Sequence, residues 1–353
     1  MRRSRRLPSA RTHERRPAAM VTKLPVIVLT GYLGAGKTTL LNHLLGTPGT
    51  RIGVVINDFG TISVDAALVS GQVDEPASIA GGCLCCLPDA GGLDDALEKL
   101  AQPRRRLDAI VVEASGIAEP AALARHVRFS GVERVRPGGV IDVINAADHF
   151  DTVDVGGLPP ARYAAASLVV VNQLDRVPPG QRAARLDRVA ARVRELNPRA
   201  HIVSTTRGRI DPLLVFDPSS RSSLDDQLPL APPDHDHHPH RHADAVTVPA
   251  PHSVDPGRLL DLLERPPGGV YRLKGWVTVA GRAPRRLLIN LVGSQLHIAD
   301  GGAAPVPDAL VAIGVHLDRS TVHDALVRAL APASTRPTAA DLRRLLRYRR
   351  LSE

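Results

Sequence analysis

The sequence predicts a doubly wound α/β domain with a mostly parallel sheet, followed by a smaller α+β domain. The first domain is predicted by short β-branched segments that recur along the chain and by helix-like segments that separate several of them. Because the strand segments are apolar throughout, we expect helices on both faces of the sheet. The second domain is predicted because 353 residues exceed one ordinary core and the pattern changes after a polar stretch.

The first domain is expected over 22–218. Its predicted strands are 25–31, 51–58, 107–116, 138–145, 167–175 and 200–206. Its predicted helices are 37–46, 91–102 and 182–197. In a doubly wound sheet the ligand lies beyond the carboxyl ends of the strands, so functional groups are expected there.

Residues 219–243 are rich in Ser, Pro, Asp and His and are expected to form a linker. The second domain, over 244–332, is expected to be an open antiparallel sheet with helices on one face. Its predicted strands are 244–249, 270–280, 285–299 and 308–315, and its predicted helices are 254–264 and 319–330. Basic tails are expected at 1–21, where we predict disorder, and at 333–353.

The composition excludes several classes of protein. The net charge of +9 is mostly arginine and lies largely in the two tails, without interleaved stacking aromatics, so nucleic acid is not expected as a partner. No apolar run approaches the ~18 residues of a membrane span, and no secretory segment is recognisable. The three cysteines lie too close together for a long-range disulfide framework, so a reducing, cytoplasmic location is expected.

GYLGAGKT, over 31–38, matches the phosphate-binding pattern G-x-x-x-x-G-K-S/T at every fixed position. It follows an apolar strand and opens a helix, as this loop requires. Lys37 is expected to reach the β and γ phosphates, and the Thr38 hydroxyl is expected to ligate Mg²⁺. Backbone amides of the loop are expected to point at phosphate oxygens. The predicted nucleotide ligands here are Gly31, Gly34, Ala35, Gly36, Lys37, Thr38 and Thr39.

Two later strand ends add to this predicted site. VVEASG, over 111–116, places Glu113 where a carboxylate can hold Mg²⁺ directly or through water, and the Gly116 amide is expected to meet the γ phosphate. NQLD follows at 172–175. Asp175 can accept the two donors of guanine, which adenine lacks, and Asn172 is expected to tie the base pocket to the phosphate loop. These residues predict GTP as the ligand.

GGCLCC, over 81–86, contains every cysteine of the chain: Cys83, Cys85 and Cys86. Thiolates select Zn²⁺ or Cu⁺, and three of them leave one coordination position open, which suits a site that passes its metal on. Asp58 is the best candidate for a fourth ligand. Inert buried cysteines, a local disulfide and a catalytic thiol are the competing interpretations.

Five histidines at 235–242 form a second candidate metal feature, with His237 and His238 at its centre. Imidazole suits Zn²⁺, Ni²⁺ and Cu²⁺, so a His-rich linker can collect metal. A polar linker that happens to be rich in histidine explains the segment equally well. The two interpretations stay open.

These motifs resemble those of CobW-type GTPases. The resemblance covers about 22–330 and is carried by GYLGAGKTTLLN, NDFGTISVD, GGCLCC, VEASGIAEP and NQLD, with LKGW and LINLVGSQLHI in the second domain. It implies a GTPase in which Lys37, Thr38 and Glu113 are catalytic. It also implies a metallochaperone that uses GTP and Mg²⁺ and delivers a transition metal to a client metalloprotein. Zinc is the metal favoured over other transition metals.

Two positions depart from the resemblance. Gln173 stands where the family has Lys, so guanine binding is expected to weaken by about 1 kcal/mol. Asp58 stands where the family usually has Glu, which shortens the ligand arm. Three alternatives stay open: a metal sensor or interaction protein with a structural nucleotide, a cobalt-handling protein for cobalamin synthesis, and a kinase-like P-loop transferase. The client and homo-oligomer formation are also left open.

Overall fold

The computed structural model describes residues 23–57, 77–79, 91–114, 119–216, 243–302 and 306–352. We call 23–216 the first lobe and 243–352 the second lobe. Several predictions lie outside the described residues: the tail at 1–21 and the linker up to residue 242, together with Asp58, Cys83, Cys85, Cys86, Gly116, His237 and His238.

The first lobe is built on a seven-stranded sheet in the order β3-β2-β4-β1-β5-β6-β7, in which every described pair is parallel. The strands are β1 Leu24–Gly31, β2 Ile52–Asn57, β3 Ala77–Ile79, β4 Ala109–Glu113, β5 Val135–Asn145, β6 Leu168–Asn172 and β7 His201–Ser204. Alternate residues of β1 pack on opposite faces, Ile27 and Leu29 against one core and Val26 and Val28 against another. The predicted doubly wound fold is therefore confirmed.

The described part of the first lobe contains five helices: α1 Lys37–Leu45, α2 Gly91–Leu100, α3 Pro120–Arg128, α4 His149–Thr152 and α5 Arg182–Leu196. Helix α1 packs on one face of the sheet through its buried leucines. Helices α2, α3 and α5 pack on the other face. Helix α3 was not predicted from the sequence, although Pro120 begins it at a position that suits proline.

The second lobe is a five-stranded antiparallel sheet in the order β11-β10-β9-β12-β8. Its strands are β8 Asp244–Pro249, β9 Val270–Val279, β10 Arg285–Val292, β11 Gln295–Asp300 and β12 Ala309–Gly314. Its helices are α6 Pro256–Glu264, α7 Arg319–Leu330 and α8 Ala339–Ser352. Asp255 and Asp318 cap α6 and α7 by accepting backbone N–H groups, which fixes where both helices begin.

The two lobes share one apolar core and a set of polar contacts. Tyr271, Val292 and Ile313 of the second lobe belong to the same buried cluster as Leu168 and Val203 of the first lobe. We call this contact region the seam.

Polar groups also cross the seam. The Arg272 guanidinium donates to the Leu213 carbonyl at 2.7 Å, and Ser167 Oγ lies 3.2 Å from the Tyr271 hydroxyl. The His201 ring lies 4.8 Å from the Tyr271 ring, measured between centroids. Packing and polar bonds together fix the position of one lobe against the other.

Two predictions for the second lobe need correction. The single strand predicted over 285–299 is a hairpin, because Gly293 adopts φ +57° and Val292 pairs with Gln295. The predicted basic tail over 333–353 contains helix α8, whose Leu345 is buried in the core of the second lobe. Within the described residues, none of the helices combines the length and the apolar character needed to cross a membrane.

Candidate nucleotide-binding site

The phosphate loop lies at the carboxyl end of β1 and leads into α1. Gly31, Gly34 and Gly36 adopt φ values of +154°, +75° and +96°. Residues that carry a Cβ rarely adopt these backbone angles. A Cβ at Gly31 would lie 2.6 Å from the Val143 carbonyl oxygen, and one at Gly36 would collide with the Asn172 side chain. The glycines therefore permit both the backbone path of the loop and its close approach to β5 and β6.

Lys37 and Thr38 open α1 directly behind the loop. Lys37 is largely buried, and its Nζ donates to the Gly31 carbonyl at 3.1 Å, so the ammonium lies across the base of the loop. The Thr38 hydroxyl donates to Glu113 Oε1 at 3.2 Å. Glu113 ends β4 and is 2% exposed. A hydroxyl and a carboxylate this close form an oxygen pair of the kind that Mg²⁺ prefers.

Asn172 links the end of β6 to the phosphate loop. Its Nδ2 donates to the Ala35 carbonyl at 3.0 Å, and its Oδ1 accepts the Gly208 N–H at 3.0 Å. Asn172 is buried, so both ends of the amide are held by backbone groups. One side chain thus connects the phosphate loop with the segment after β7 that includes Thr205 and Thr206.

Gln173 makes a second link to the phosphate loop, which sequence reasoning missed. It adopts φ +60°, and its Nε2 donates to the Gly34 carbonyl at 2.8 Å. Its Oε1 accepts from Arg176 at 2.8 Å. Asp175 is exposed in the short 3-10 turn Leu174–Arg176, and its backbone carbonyl accepts from Arg182 at 3.1 Å.

A buried ion pair behind the phosphate loop was also missed. Asp142 on β5 is fully buried and pairs with Arg162 at 3.0 Å, and Arg162 also donates to the Thr30 hydroxyl at 3.0 Å. Burial raises the pKa of the Asp142 carboxyl, opposed by Arg162 and Lys37. Thr30 immediately precedes the loop, so this pair supports the end of β1. Because the partners are 20 residues apart in sequence, no local motif reveals them.

Further polar side chains lie beside α4. His149 Nε2 and the Tyr163 hydroxyl are 2.5 Å apart, and Tyr163 donates to Asp154 at 3.3 Å. Arg192 holds both oxygens of Asp154 at 2.8 and 2.9 Å. Burial lowers the pKa of His149 to about 4, so the imidazole is neutral near pH 7. This network joins α4 to α5 and has no polar contact with the phosphate loop among the described residues.

No metal site is formed by the residues that the structure describes: they contain no cluster of three or more His, Cys, Asp or Glu side chains suited to an ion. The predicted thiolate and imidazole ligands lie outside them. What the structure gives is the position of the neighbouring backbone. Strand β3 ends at Ile79, beside Asn57 at the end of β2, at the same edge of the sheet as the phosphate loop.

Two family profiles match the chain along most of its length. Residues 25–204 match the CobW/HypB/UreG nucleotide-binding domain. Residues 243–330 match the C-terminal domain of the cobalamin synthesis protein CobW. The chain belongs to the CobW family. The first lobe is therefore the nucleotide-binding domain of a CobW protein, and the phosphate loop described above lies within it.

CobW relatives of similar length exist in several bacteria. The protein named zinc chaperone CobW from Pseudomonas aeruginosa is 30% identical over 92% of this chain and 97% of its own length. Its namesake from Sinorhizobium is 29% identical over 86% of this chain and 96% of its own length. The zinc chaperone YjiA from Escherichia coli is 30% identical over 55% of this chain and 61% of its own length.

Proposed function

We propose that this CobW protein is a GTPase that carries zinc, or another transition metal, and transfers it to a client protein. Cys83, Cys85 and Cys86 hold the metal in this proposal, with Asp58 as a fourth ligand and His237 and His238 as a weaker accessory site. The names of the relatives support zinc as the metal, since two relatives that match along nearly their whole length are called zinc chaperones.

The Thr38–Glu113 pair is the observation that carries the GTPase part of the proposal. The two side chains lie 3.2 Å apart at the mouth of the phosphate loop, and both offer oxygens suited to Mg²⁺. Mg²⁺ bound there would neutralise charge on the β and γ phosphates. Lys37 would move from the Gly31 carbonyl to the phosphates, and the loop residues Gly31, Gly34, Ala35, Gly36 and Thr39, together with Gly116, would donate backbone hydrogen bonds.

Guanine is the base in this proposal, held by the Asp175 carboxylate. Asp175 is exposed beside the loop, and Asn172 and Gln173 both bond to carbonyls of that loop. The base and the phosphates would therefore be bound by two segments that are joined by hydrogen bonds, 172–175 and the phosphate loop. A kinase-like transferase would instead prefer ATP. Adenine lacks the pair of N–H donors, N1–H and the neighbouring exocyclic amine, from which Asp175 can accept hydrogen bonds in guanine.

Chain connectivity supports coupling between metal and nucleotide. Cys83 follows the end of β3 by four residues in the sequence. Asp58 directly follows Asn57 at the end of the paired strand β2. In our proposal GTP and Mg²⁺ order the segment 57–86 and assemble the thiolates, and hydrolysis releases the metal.

The experiment measures zinc affinity by competition with a chromophoric chelator, on protein loaded with a non-hydrolysable GTP analogue or with GDP. We expect about tenfold tighter binding in the triphosphate form, a coupling of about 1.4 kcal/mol. The Cys83→Ser/Cys85→Ser/Cys86→Ser variant should lose the tight site but still bind nucleotide. Lys37→Ala should bind zinc without any response to nucleotide, whereas Lys99→Ala, at an exposed position of helix α2, should behave as wild type.

Equal zinc affinity in both nucleotide states would rule out GTP-dependent transfer and favour a metal sensor with a structural nucleotide. A preference for Co²⁺ over Zn²⁺ would favour a cobalt-handling protein. Competition by ATP as strong as that by GTP would count against the assignment of Asp175. Release of inorganic phosphate from GTP, measured in the same samples, tests the hydrolytic activity directly.

A further inference from the structure

A large cleft opens between the two lobes, away from the phosphate loop. Its volume is about 1010 Å³. Strand β7 and the end of α5 line it from the first lobe, and the loop 265–269 lines it from the second. None of the residues assigned to nucleotide or metal above lines this cleft.

Strand β7 is the last strand of its sheet, and its residues His201, Ile202 and Val203 line this cleft. The N–H groups of His201 and Thr205 donate toward β6, to the carbonyls of Ser167 and Val171. Because successive residues of a strand direct their backbone groups to opposite sides, Ile202 and Ser204 direct theirs to the open side. Among the described residues, no strand pairs with that side. An extended peptide placed there would be able to continue the sheet.

The cleft is strongly basic. Three exposed arginines line it: Arg194 in the last turn of α5, Arg199 shortly after that helix and Arg265 after α6. The acidic residue in the lining is Glu264, and it already accepts from Arg344 at 2.8 Å and from the Tyr348 hydroxyl at 3.0 Å. Arg265 already pairs with Asp261 at 3.8 Å. A ligand in the cleft therefore meets positive charge mainly from Arg194 and Arg199, which favours an acidic ligand.

The lining also offers apolar surface between the arginines. Leu296 and the adjacent prolines Pro266 and Pro267, all partly exposed, line the cleft together with the basic residues. Side chains alternate across an extended peptide, so apolar residues can face this surface while acidic residues face the arginines. The shape and chemistry thus match an extended segment of alternating acidic and apolar residues.

We propose that this cleft binds an extended acidic segment of a partner protein, which adds to β7 as an eighth strand. Backbone hydrogen bonds to Ile202 and Ser204 would supply affinity, and Arg194, Arg199 and Arg265 would select acidic sequences. The proposal is independent of the metal and nucleotide assignments, because none of those residues takes part.

The test uses a fluorescein-labelled peptide of alternating Glu and Val, and a matched peptide of alternating Lys and Val, on the full chain. Fluorescence anisotropy should detect micromolar binding of the Glu–Val peptide and none of the Lys–Val peptide. The Arg194→Ala/Arg199→Ala variant should weaken binding about tenfold, as expected for loss of charge pairs at an interface. Arg343→Ala/Arg347→Ala removes the same charge from exposed positions of α8 and should leave binding unchanged.

Amide hydrogen exchange supplies the second measurement. Bound Glu–Val peptide should slow exchange of the Ile202 and Ser204 amides about tenfold, because these N–H groups become hydrogen-bonded. Peptide binding that leaves both amides unprotected would overturn strand addition. Equal loss of affinity in the two arginine variants would show that only the overall positive charge attracts the peptide, and would also overturn the proposal.

Discussion

The two sheets of this protein place their buried polar groups differently. In the first lobe Lys37, Glu113, Asp142 and Asn172 are buried at or near the carboxyl edge of the parallel sheet. In the second lobe Arg272 is buried in the antiparallel sheet and bonds across to the first lobe. Parallel strands all end at one edge and so bring their loops together, whereas antiparallel strands divide their ends between two edges. Strand direction therefore explains why the polar groups around the phosphate loop gather at one edge of the first sheet.

Removal of Arg162 should produce the largest loss of stability. It tests whether the buried polar groups of the first sheet depend on the ion pair between Arg162 and Asp142. Arg162→Leu leaves the Asp142 carboxylate buried without its cation. We expect the free energy of unfolding to fall by about 3–5 kcal/mol, as for other buried pairs that lose one partner. Urea denaturation at pH 7 measures the change.

A second variant separates the lost ion pair from lost packing. Arg162→Leu/Asp142→Asn removes the buried charge as well, and we expect it to recover most of the stability. If the double variant were as unstable as the single one, loss of the Arg162–Asp142 ion pair would not explain the fall in the free energy of unfolding. The comparison between the two sheets would then rest on packing alone.

Acid should weaken the seam, where the two sheets meet. Burial lowers the pKa of His201 to about 4, from an ordinary value of 6.5. Between pH 6.5 and pH 4 the unfolded chain binds a proton at this position and the folded chain does not. The free energy of unfolding should therefore fall as pH falls through this window, by about 1.4 kcal/mol per pH unit for this residue, and then level off.

The His201→Phe variant isolates that contribution. Phenylalanine keeps a ring beside Tyr271 but cannot take up a proton, so the variant should lose less stability than wild type between pH 6.5 and pH 4. His252→Phe changes an exposed histidine and serves as the control. Parallel stability–pH curves for wild type and His201→Phe would contradict the assignment.

The smallest expected effect concerns Gln173, at the polar edge of the first sheet. Gln173→Ala removes the hydrogen bond to the Gly34 carbonyl and should weaken GDP binding by about 1 kcal/mol, or roughly fivefold. Gln181→Ala, an exposed position without a capping bond, should not change it. Titration calorimetry at constant ionic strength makes the comparison, and unchanged affinity would limit Gln173 to a structural role.

The sequence predicted most of what depends on local pattern. The strands of the first sheet were recognisable because apolar β-branched runs are bounded by glycine and polar residues, as at 25–31. The phosphate loop was recognisable because its spacing and its position between strand and helix are both fixed by the chemistry of phosphate binding. These signals lie within a few residues of one another.

Features that depend on tertiary contacts were not predictable in the same way. The Arg162–Asp142 pair joins residues that become neighbours only when β5 enters the sheet, and helix α8 is stabilised by Leu345 in the core of the second lobe. Strand β3 has only three residues, too few for a periodic signal. The hairpin at Gly293 and Ser294 is different, because a Gly-Ser pair between apolar runs is a turn signal that was present in the sequence.

The core shared by the two lobes also affects which fragments and chimaeras of this protein can fold. Tyr271, Val292 and Ile313 complete an apolar interior that begins with Leu168 and Val203. A fragment that stops before the second lobe would present that bare surface to solvent and would tend to aggregate. Chimaeras between relatives should therefore exchange both halves of this interior together.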